Sequence, residues 1–360
     1  MDSLAALQSA ISERMATAVG SRRRTPADLV SKSREALQTL STVPEGKPRE
    51  QAVEKLAAQA SEMRLLIYGD TEAVGDAEQA GLLREEFMRG ELILQMATHI
   101  AAPDLGFETR KDIAQVINHL LRKHPPAVEY VQARPAILHS LLAGYADPRP
   151  DVALCCGGLV RECVRHEGVC EIVLKDRGGL FEELLTLVQL PTFDVATDAF
   201  STLHDVLTLH EQLYSEFLLT QYDAVFCQEP PRGFARLLMP DQNYVTRRLS
   251  LKLLGDVLLD RANFKVMTKY IASTENLRKV MECLKDDSDA IKYEAFHVFK
   301  IFVANPKKEP EIVETLAKNS KKLCAFLGNF RNEKDDENFQ QEKEMLIEVL
   351  SNLPGLTAGD

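Results

Sequence analysis

Similar helical segments recur along this chain at nearly constant intervals, which constrains its fold strongly. Each segment carries a β-branched residue near its start, at Ile113, Val152, Val195, Val245 and Ile291. Successive members lie 39, 43, 50 and 46 residues apart. Such a period is typical of armadillo and HEAT repeats, whose units bury their apolar faces only by stacking. The sequence therefore predicts an all-α, armadillo/HEAT-like, right-handed helical-repeat solenoid with a concave binding face.

We expect one armadillo-like helical-repeat domain over residues 25–353. It begins at Thr25-Pro26-Ala27-Asp28, which offers a capping hydroxyl, a proline in the first turn and an acid at the third position. Residues 25–105 show a weaker repeat and are predicted to form an N-terminal cap. Residues 1–24 are interpreted as a flexible N-terminal arm, and residues 354–360 as a frayed tail.

Helical periodicity also predicts individual elements at the two ends of this domain. In the cap, it predicts helices over Pro48–Tyr68 and Ala77–His99. Near the other end, Asn329–Glu342 is polar and is predicted to be a loop. A final helix over Lys343–Leu353 then closes the stack.

Composition excludes several classes of protein. The 360 residues are 45% hydrophobic and carry a formal net charge of −11, so nucleic-acid binding is not expected. No apolar run is long enough for a transmembrane helix, and the first residues show no signal-peptide pattern. Seven cysteines without a framework spacing fit a reducing compartment. We therefore expect a cytoplasmic protein without membrane insertion.

The sequence offers one spacing that resembles a metal site, formed by Cys163, His166 and Cys170. On a continuous helix these residues would share a face, but zinc usually needs a fourth ligand, and cysteine is commonly buried. Core packing is the favoured interpretation. The chain also contains no G-x-S-x-G, P-loop or H-E-x-x-H motif. We expect no enzyme, cofactor or metal.

The segment Asn243–Phe264 is predicted to be a helix that is apolar around most of its circumference. The remaining arc holds Arg248, Lys252, Gly255 and Asp256. Such a helix would lie between other helices, with the charged arc facing a groove. The arc is either a solvated face with a Lys252–Asp256 ion pair or a protein contact, and the helix alone favours neither.

A second cluster follows one repeat later. An apolar face is predicted at Leu277, Val280, Met281 and Leu284, and a lysine-rich helix carries Lys318, Lys321 and Lys322. Side by side, these helices would form an apolar pocket rimmed by ammonium groups. Such a pocket suits a short peptide with an aromatic anchor and an acidic group. The alternative, a capping helix with a lysine-rich outer face, is favoured by the spacing alone.

Ordered motifs along most of the chain resemble those of the calcium-binding protein 39 family. The resemblance runs from about Thr25 to Leu353. Its most specific marks are Asn243-Tyr-Val-Thr-Arg-Arg248, Leu251–Phe264, Met267-Thr-Lys-Tyr270 and Phe296-His-Val-Phe-Lys-Ile-Phe-Val-Ala-Asn-Pro306. A longer, Pro-rich Gln228–Asp241 segment departs from the family pattern.

This resemblance implies a non-catalytic scaffold that activates sterile-twenty-class kinases. Family members hold a kinase or pseudokinase domain on the concave face and stabilise its active conformation, and they take a C-terminal Trp-Glu-Phe-type peptide in a separate pocket. The kinase contacts fall on Arg248, Lys252, Arg261 and Phe264. The peptide pocket falls on Met281, Lys318 and Lys322. The alternative is a generic helical-repeat adaptor in a cell-polarity or cytoskeletal complex, without kinase activation.

Overall fold

The structure, a computed structural model, describes residues 24–69, 75–226, 233–330 and 337–354. Within these ranges the regular secondary structure is helical and no β-strand is present. None of the helices in these ranges is long and apolar enough to cross a membrane. The predicted arm, apart from Arg24, and the predicted tail after Pro354 lie outside the described residues.

The chain divides into two compact units, Met1–Glu162 and Cys163–Asp360, and the division falls within the eighth described helix. Whether residues 25–353 act as one domain stays a prediction. The helices of the first unit, including the one that crosses the division, are α1 (Pro26–Thr42), α2 (Lys47–Tyr68), α3 (Ala77–Met88), α4 (Leu92–His99), α5 (Phe107–Lys123), α6 (Pro125–Gln132), α7 (Ala136–Tyr145) and α8 (Pro150–Val164).

The second unit continues the helical pattern and contains one 3₁₀ turn, Arg261–Asn263. Its described α-helices are α9 (Glu167–Lys175), α10 (Leu180–Leu187), α11 (Phe193–Thr208), α12 (Glu211–Thr220), α13 (Tyr222–Phe226), α14 (Phe234–Leu237), α15 (Tyr244–Leu259), α16 (Phe264–Ile271), α17 (Thr274–Cys283), α18 (Asp289–Ala304), α19 (Pro310–Asn329) and α20 (Glu337–Ser351).

The predicted repeat is confirmed by the helix order. Helices α5, α8, α11, α15 and α18 are 15 to 17 residues long and begin 43, 43, 51 and 45 residues apart. Each has a buried residue at its third position: Thr109, Val152, Val195, Thr246 and Ile291. Two of the predicted anchors lie elsewhere: Ile113 is the seventh residue of α5, and Val245 is the second residue of α15 and only half-buried. The longer interval contains the short helices α13 and α14.

The predicted start of the domain is confirmed, whereas two predicted boundaries are wrong. The Thr25 hydroxyl accepts a hydrogen bond from the Asp28 amide at 3.2 Å, and the Asp28 carboxylate accepts one from the Thr25 amide. The helix predicted over Ala77–His99 is two helices, with Arg89 ending the first. The closing helix starts at Glu337 instead of Lys343, because Phe339 is buried and extends its packed face.

The metal-like residues do not share one helix. Helix α8 ends before His166, and α9 begins after it. Cys163 and Cys170 are buried in the core, and burial raises the pKa of the Cys170 thiol to about 12. Across the described ranges, no three His, Cys, Asp or Glu side chains gather where a metal ion could be held. The packing of both cysteines agrees with the core interpretation.

Candidate protein-binding face and groove

Helix α15 begins at a side-chain cap and is buried on most of its circumference. The Asn243 side-chain oxygen accepts a hydrogen bond from the Thr246 amide at 2.9 Å. Gly255, predicted on the exposed arc, is buried instead, and a Cβ there would lie 3.8 Å from a methyl group of Val298 in α18. The charged part of the exposed strip therefore consists of Arg248, Lys252 and Asp256. The exposed side chains of Tyr244 and Leu259 extend the strip at its two ends.

A carboxylate from the next repeat accompanies this strip. The Arg248 Nε atom lies 3.7 Å from a carboxylate oxygen of Glu294 in α18. Burial raises the pKa of Glu294, and the charges of Arg248 and Lys252 partly oppose that shift. The Lys252–Asp256 ion pair, which belongs to the solvated-face alternative, is not among those formed by the described residues. The strip is thus partly neutralised by a residue that sequence reasoning missed.

A 3₁₀ turn follows α15, so the prediction of one helix through Phe264 is wrong. Asp260 has an extended backbone, and its Oδ1 atom accepts a hydrogen bond from the Ala262 amide at 2.9 Å. Asn263 is fully buried and donates from Nδ2 to the Val257 carbonyl at 2.8 Å. These two side chains end α15 and start α16 at Phe264.

The same turn is held from outside by α12. The Tyr214 hydroxyl donates a hydrogen bond to Oδ2 of Asp260. Burial and this bond raise the pKa of Tyr214. Asp260 therefore uses one carboxylate oxygen to shape the turn and the other to anchor it to a neighbouring helix. The backbone that presents Arg261 and Phe264 is fixed before any partner binds.

The turn exposes an aromatic ring beside a cation. Phe264 is 64% exposed, the largest fraction for a bulky apolar side chain in the described ranges. Arg261 is also exposed and has no ion-pair partner among the described residues. Exposed aromatic and arginine side chains on a rigid support are typical of residues that dominate protein–protein binding energy.

A groove of about 830 Å³ lies between α17 and α19. Both Met281 and Lys318 line it, so the structure brings together these two predicted pocket residues. Lys322 is exposed but does not line the groove, and its role stays a prediction. The Lys318 ammonium is 2.5 Å from the Glu314 carboxylate, and this contact lowers the pKa of Glu314.

The groove is more polar than predicted. The other three apolar residues, Leu277, Val280 and Leu284, are buried because they face the core. Met281 is itself only 8% exposed. The remaining lining is rich in charge of both signs, with Glu275, Arg278, Glu282, Lys285, Glu311 and Glu314. The groove therefore favours a ligand that combines a small apolar contact with charged groups.

A partly buried ion pair links the helix of the strip to the loop that follows α17. Arg247 on α15 contacts Asp286, and the two side chains are 13% and 14% exposed. The other carboxylate oxygen of Asp286 accepts a hydrogen bond from the Ser288 amide at 2.9 Å. Sequence reasoning missed this pair, because Arg247 is adjacent to the exposed Arg248 and Asp286 begins an acidic run that is typical of a solvated loop.

Comparison with known proteins identifies the family. A family model described as Mo25-like matches residues 17–354. The chain belongs to the Mo25-like family. Human calcium-binding protein 39-like is 40% identical over 335 residues, which cover 92% of this chain and 95% of the human protein. MO25-like protein 2 of Caenorhabditis elegans is 43% identical over 342 residues, covering 93% and 98% of the two chains.

The likeness of this Mo25-like chain to a solved structure concerns the fold alone. The crystal structure of Uso1-2 matches with a TM-score of 0.53 and 14% identity, over 94% of this chain and 58% of that chain. The match is consistent with the all-α helical-repeat architecture. The family match confirms the resemblance that the motifs indicate. The Mo25-like family is known as a family of scaffold proteins.

Proposed function

We propose that this chain is a cytoplasmic, non-catalytic scaffold for a protein kinase or pseudokinase of the sterile-twenty class. The partner's kinase-like domain binds the surface that carries Arg248, Lys252, Arg261 and Phe264. The observation that carries this proposal is the 64% exposed Phe264 ring, presented beside Arg261 by a turn that buried side chains hold in place. Membership of the Mo25-like family supports the scaffold role.

The proposed scaffold acts by stabilising the active conformation of the partner. A ligand shifts a conformational equilibrium only by its difference in affinity for the two states. A coupling free energy of about 1–3 kcal/mol, typical of such systems, shifts the populations by roughly 5- to 150-fold. The cations of the strip steer the encounter and set its specificity, and the Phe264 ring supplies apolar contact area.

Kinase activation by purified protein tests this function. We expect the wild-type chain to raise the activity of a sterile-twenty-class kinase domain. We expect Arg248→Ala/Lys252→Ala to weaken the apparent affinity for that domain about tenfold, because the variant loses two charges of the proposed interface. Arg177→Ala/Lys321→Ala removes two other exposed cations and serves as the matched control. Unchanged activation by the first variant would remove the strip from the interface. Binding without activation by the wild type would instead support the generic adaptor.

We propose that the groove between α17 and α19 binds a C-terminal Trp-Glu-Phe-type peptide. Met281 offers a polarisable surface to an aromatic ring. Lys318, held by Glu314 in the free protein, exchanges that partner for a carboxylate of the peptide. The exchange costs little, because both side chains are mostly exposed at 69% and 63%. The lining glutamates disfavour peptides with further acidic residues.

Charge reversal at Lys318 is the cleanest test of this groove. We expect Lys318→Glu to lower the affinity for a fluorescent peptide ending in Trp-Glu-Phe by at least about tenfold, because the peptide carboxylate then meets a like charge. The matched control is Lys321→Glu, which changes an exposed lysine outside the lining. Equal peptide affinity of Lys318→Glu and wild type places the peptide elsewhere. Met281→Ala is less clean, since truncating this buried side chain costs about 2–5 kcal/mol of stability.

A further inference from the structure

A cluster of cations in the first unit lies outside the proposed kinase and peptide contacts. It joins Arg84 of α3 to His119 and Lys123 of α5. The Arg84 Nη1 atom lies 3.2 Å from the His119 Nε2 atom. His119 and Lys123 are four residues apart, so they share one face of α5. Lys123 is exposed, and the other two side chains are half-buried.

The imidazole ring of His119 is held in place by α2. The Tyr68 ring meets it edge to face, with centroids 5.8 Å apart and an interplanar angle of 82°. The Tyr68 hydroxyl donates to the Gln115 carbonyl at 3.3 Å, one turn before His119. These contacts fix the ring with its Nε2 atom toward the guanidinium group.

Two charges of the cluster are uncompensated. Arg84 and Lys123 form no ion pair with the described residues, whereas the neighbouring Arg122 is neutralised by Glu162 of α8 at 2.8 and 2.5 Å. Burial and the charges of Arg84 and Lys123 lower the pKa of His119, which is therefore neutral at pH 7. A neutral ring accepts the Arg84 hydrogen bond through Nε2.

A purely structural role explains only part of this arrangement. Lys123 lies in the last turn of α5, where a cation interacts favourably with the helix dipole. Arg84 comes from a different helix and donates to a histidine ring. The positive charges of Arg84 and Lys123 repel each other, and a bound anion would remove that repulsion.

We propose that Arg84, His119 and Lys123 form a binding site for the phosphoryl group of a phosphorylated side chain on a partner protein. Such a group carries nearly two negative charges and three acceptor oxygens. The two uncompensated cations match that charge, and a guanidinium, an ammonium and an imidazolium can together donate to all three oxygens. A single carboxylate would satisfy only one of the two charges.

Binding at this site favours the protonated form of His119. When the phosphoryl group arrives, Arg84 turns its N–H groups from His119 to the ligand oxygens. The Nε2 atom of His119 then gains a proton and becomes a donor. By linkage, the bound dianion raises the pKa of His119, and lowering the pH from 8 to 7 strengthens binding.

The test combines histidine NMR with peptide binding, using the full chain and a phosphoserine peptide with glycine flanks. We expect the phosphopeptide to move the His119 ring resonances and to raise its pKa by about one unit, equivalent to a tenfold effect of the bound state on protonation. The same peptide without phosphate should leave His119 unmoved. Arg84→Gln and Lys123→Gln should each weaken phosphopeptide binding about tenfold, while Arg84→Lys keeps most of the affinity.

The matched control is Lys111→Gln, an exposed cation on the same helix that is paired with Glu108 at 3.6 Å. It should bind the phosphopeptide like the wild type. Equal loss of binding in Lys111→Gln would overturn the site, because attraction would then come from general charge. Ring resonances of His119 that do not shift when the phosphopeptide is added would overturn the site as well. So would a response to inorganic phosphate with none to the phosphopeptide. Circular dichroism of each variant verifies folding.

Discussion

Phe264→Ala is expected to remove most of the activation of a sterile-twenty-class kinase. The ring is 64% exposed in the free chain, so its truncation leaves the core intact. In the proposed complex, the ring is buried on the partner. Loss of an aromatic residue at the centre of an interface costs about 2 kcal/mol or more, which is roughly a thirtyfold weaker affinity. Isothermal titration with the kinase domain and a kinase assay below saturation measure this effect.

Phe193→Ala provides the matched control for that substitution. Phe193 opens α11 and is 63% exposed, so the change removes the same ring at the same accessibility. We expect it to leave activation largely unchanged. If both variants lose activation equally, the specific assignment to the turn at Phe264 is wrong. If neither loses it, the interface does not use this aromatic residue.

Arg247→Ala is expected to destabilise the second unit by up to about 3–5 kcal/mol, the cost of leaving one member of a fully buried ion pair without its partner. Asp286 is only 14% exposed, so water replaces the lost guanidinium poorly. The midpoint of urea unfolding should fall while its slope stays the same. Arg248→Ala, one residue away and exposed, is the matched control and should change stability by less than about 0.5 kcal/mol.

A paired substitution distinguishes the loss of a partner from the loss of packing. Arg247→Met/Asp286→Leu removes both charges and keeps much of the buried volume. We expect it to recover most of the lost free energy, since apolar replacement of a buried pair is often neutral or stabilising. A double variant as unstable as Arg247→Ala would show that hydrogen bonds around the pair, such as the one from the Ser288 amide, carry the stability.

The repeat period could be predicted from the sequence because it depends on local pattern. Burial of the third residue of each leading helix recurs along the chain, at Val152, Val195 and Ile291 among others. The break after α15 could not be read from that pattern. It depends on Asp260 and Asn263, whose side chains replace main-chain hydrogen bonds of a continuing helix.

The candidate sites were partly accessible to sequence reasoning. Helical spacing places Arg248 and Lys252 on one face, and repeat order brings Met281 and Lys318 to neighbouring helices. The sequence pattern does not reveal which side chains of other helices pair with these residues. The ion pair between Arg248 and Glu294, for example, depends on how α15 packs against α18. Of the Gln228–Asp241 segment the structure describes residues 233–241, which include α14, and of the chain before Thr25 it describes Arg24.

The buried hydroxyl of Thr246 limits which repeats of this chain could replace one another. It donates a hydrogen bond to the Val188 carbonyl at 3.0 Å, whereas the equivalent positions in α8 and α11 hold valine. A copy of either repeat placed at α15 would leave that carbonyl without its donor, at a cost of about 1–3 kcal/mol. A shuffled or consensus version of the array must therefore keep a hydroxyl at this junction, which among the other leading helices only α5, with Thr109, could supply.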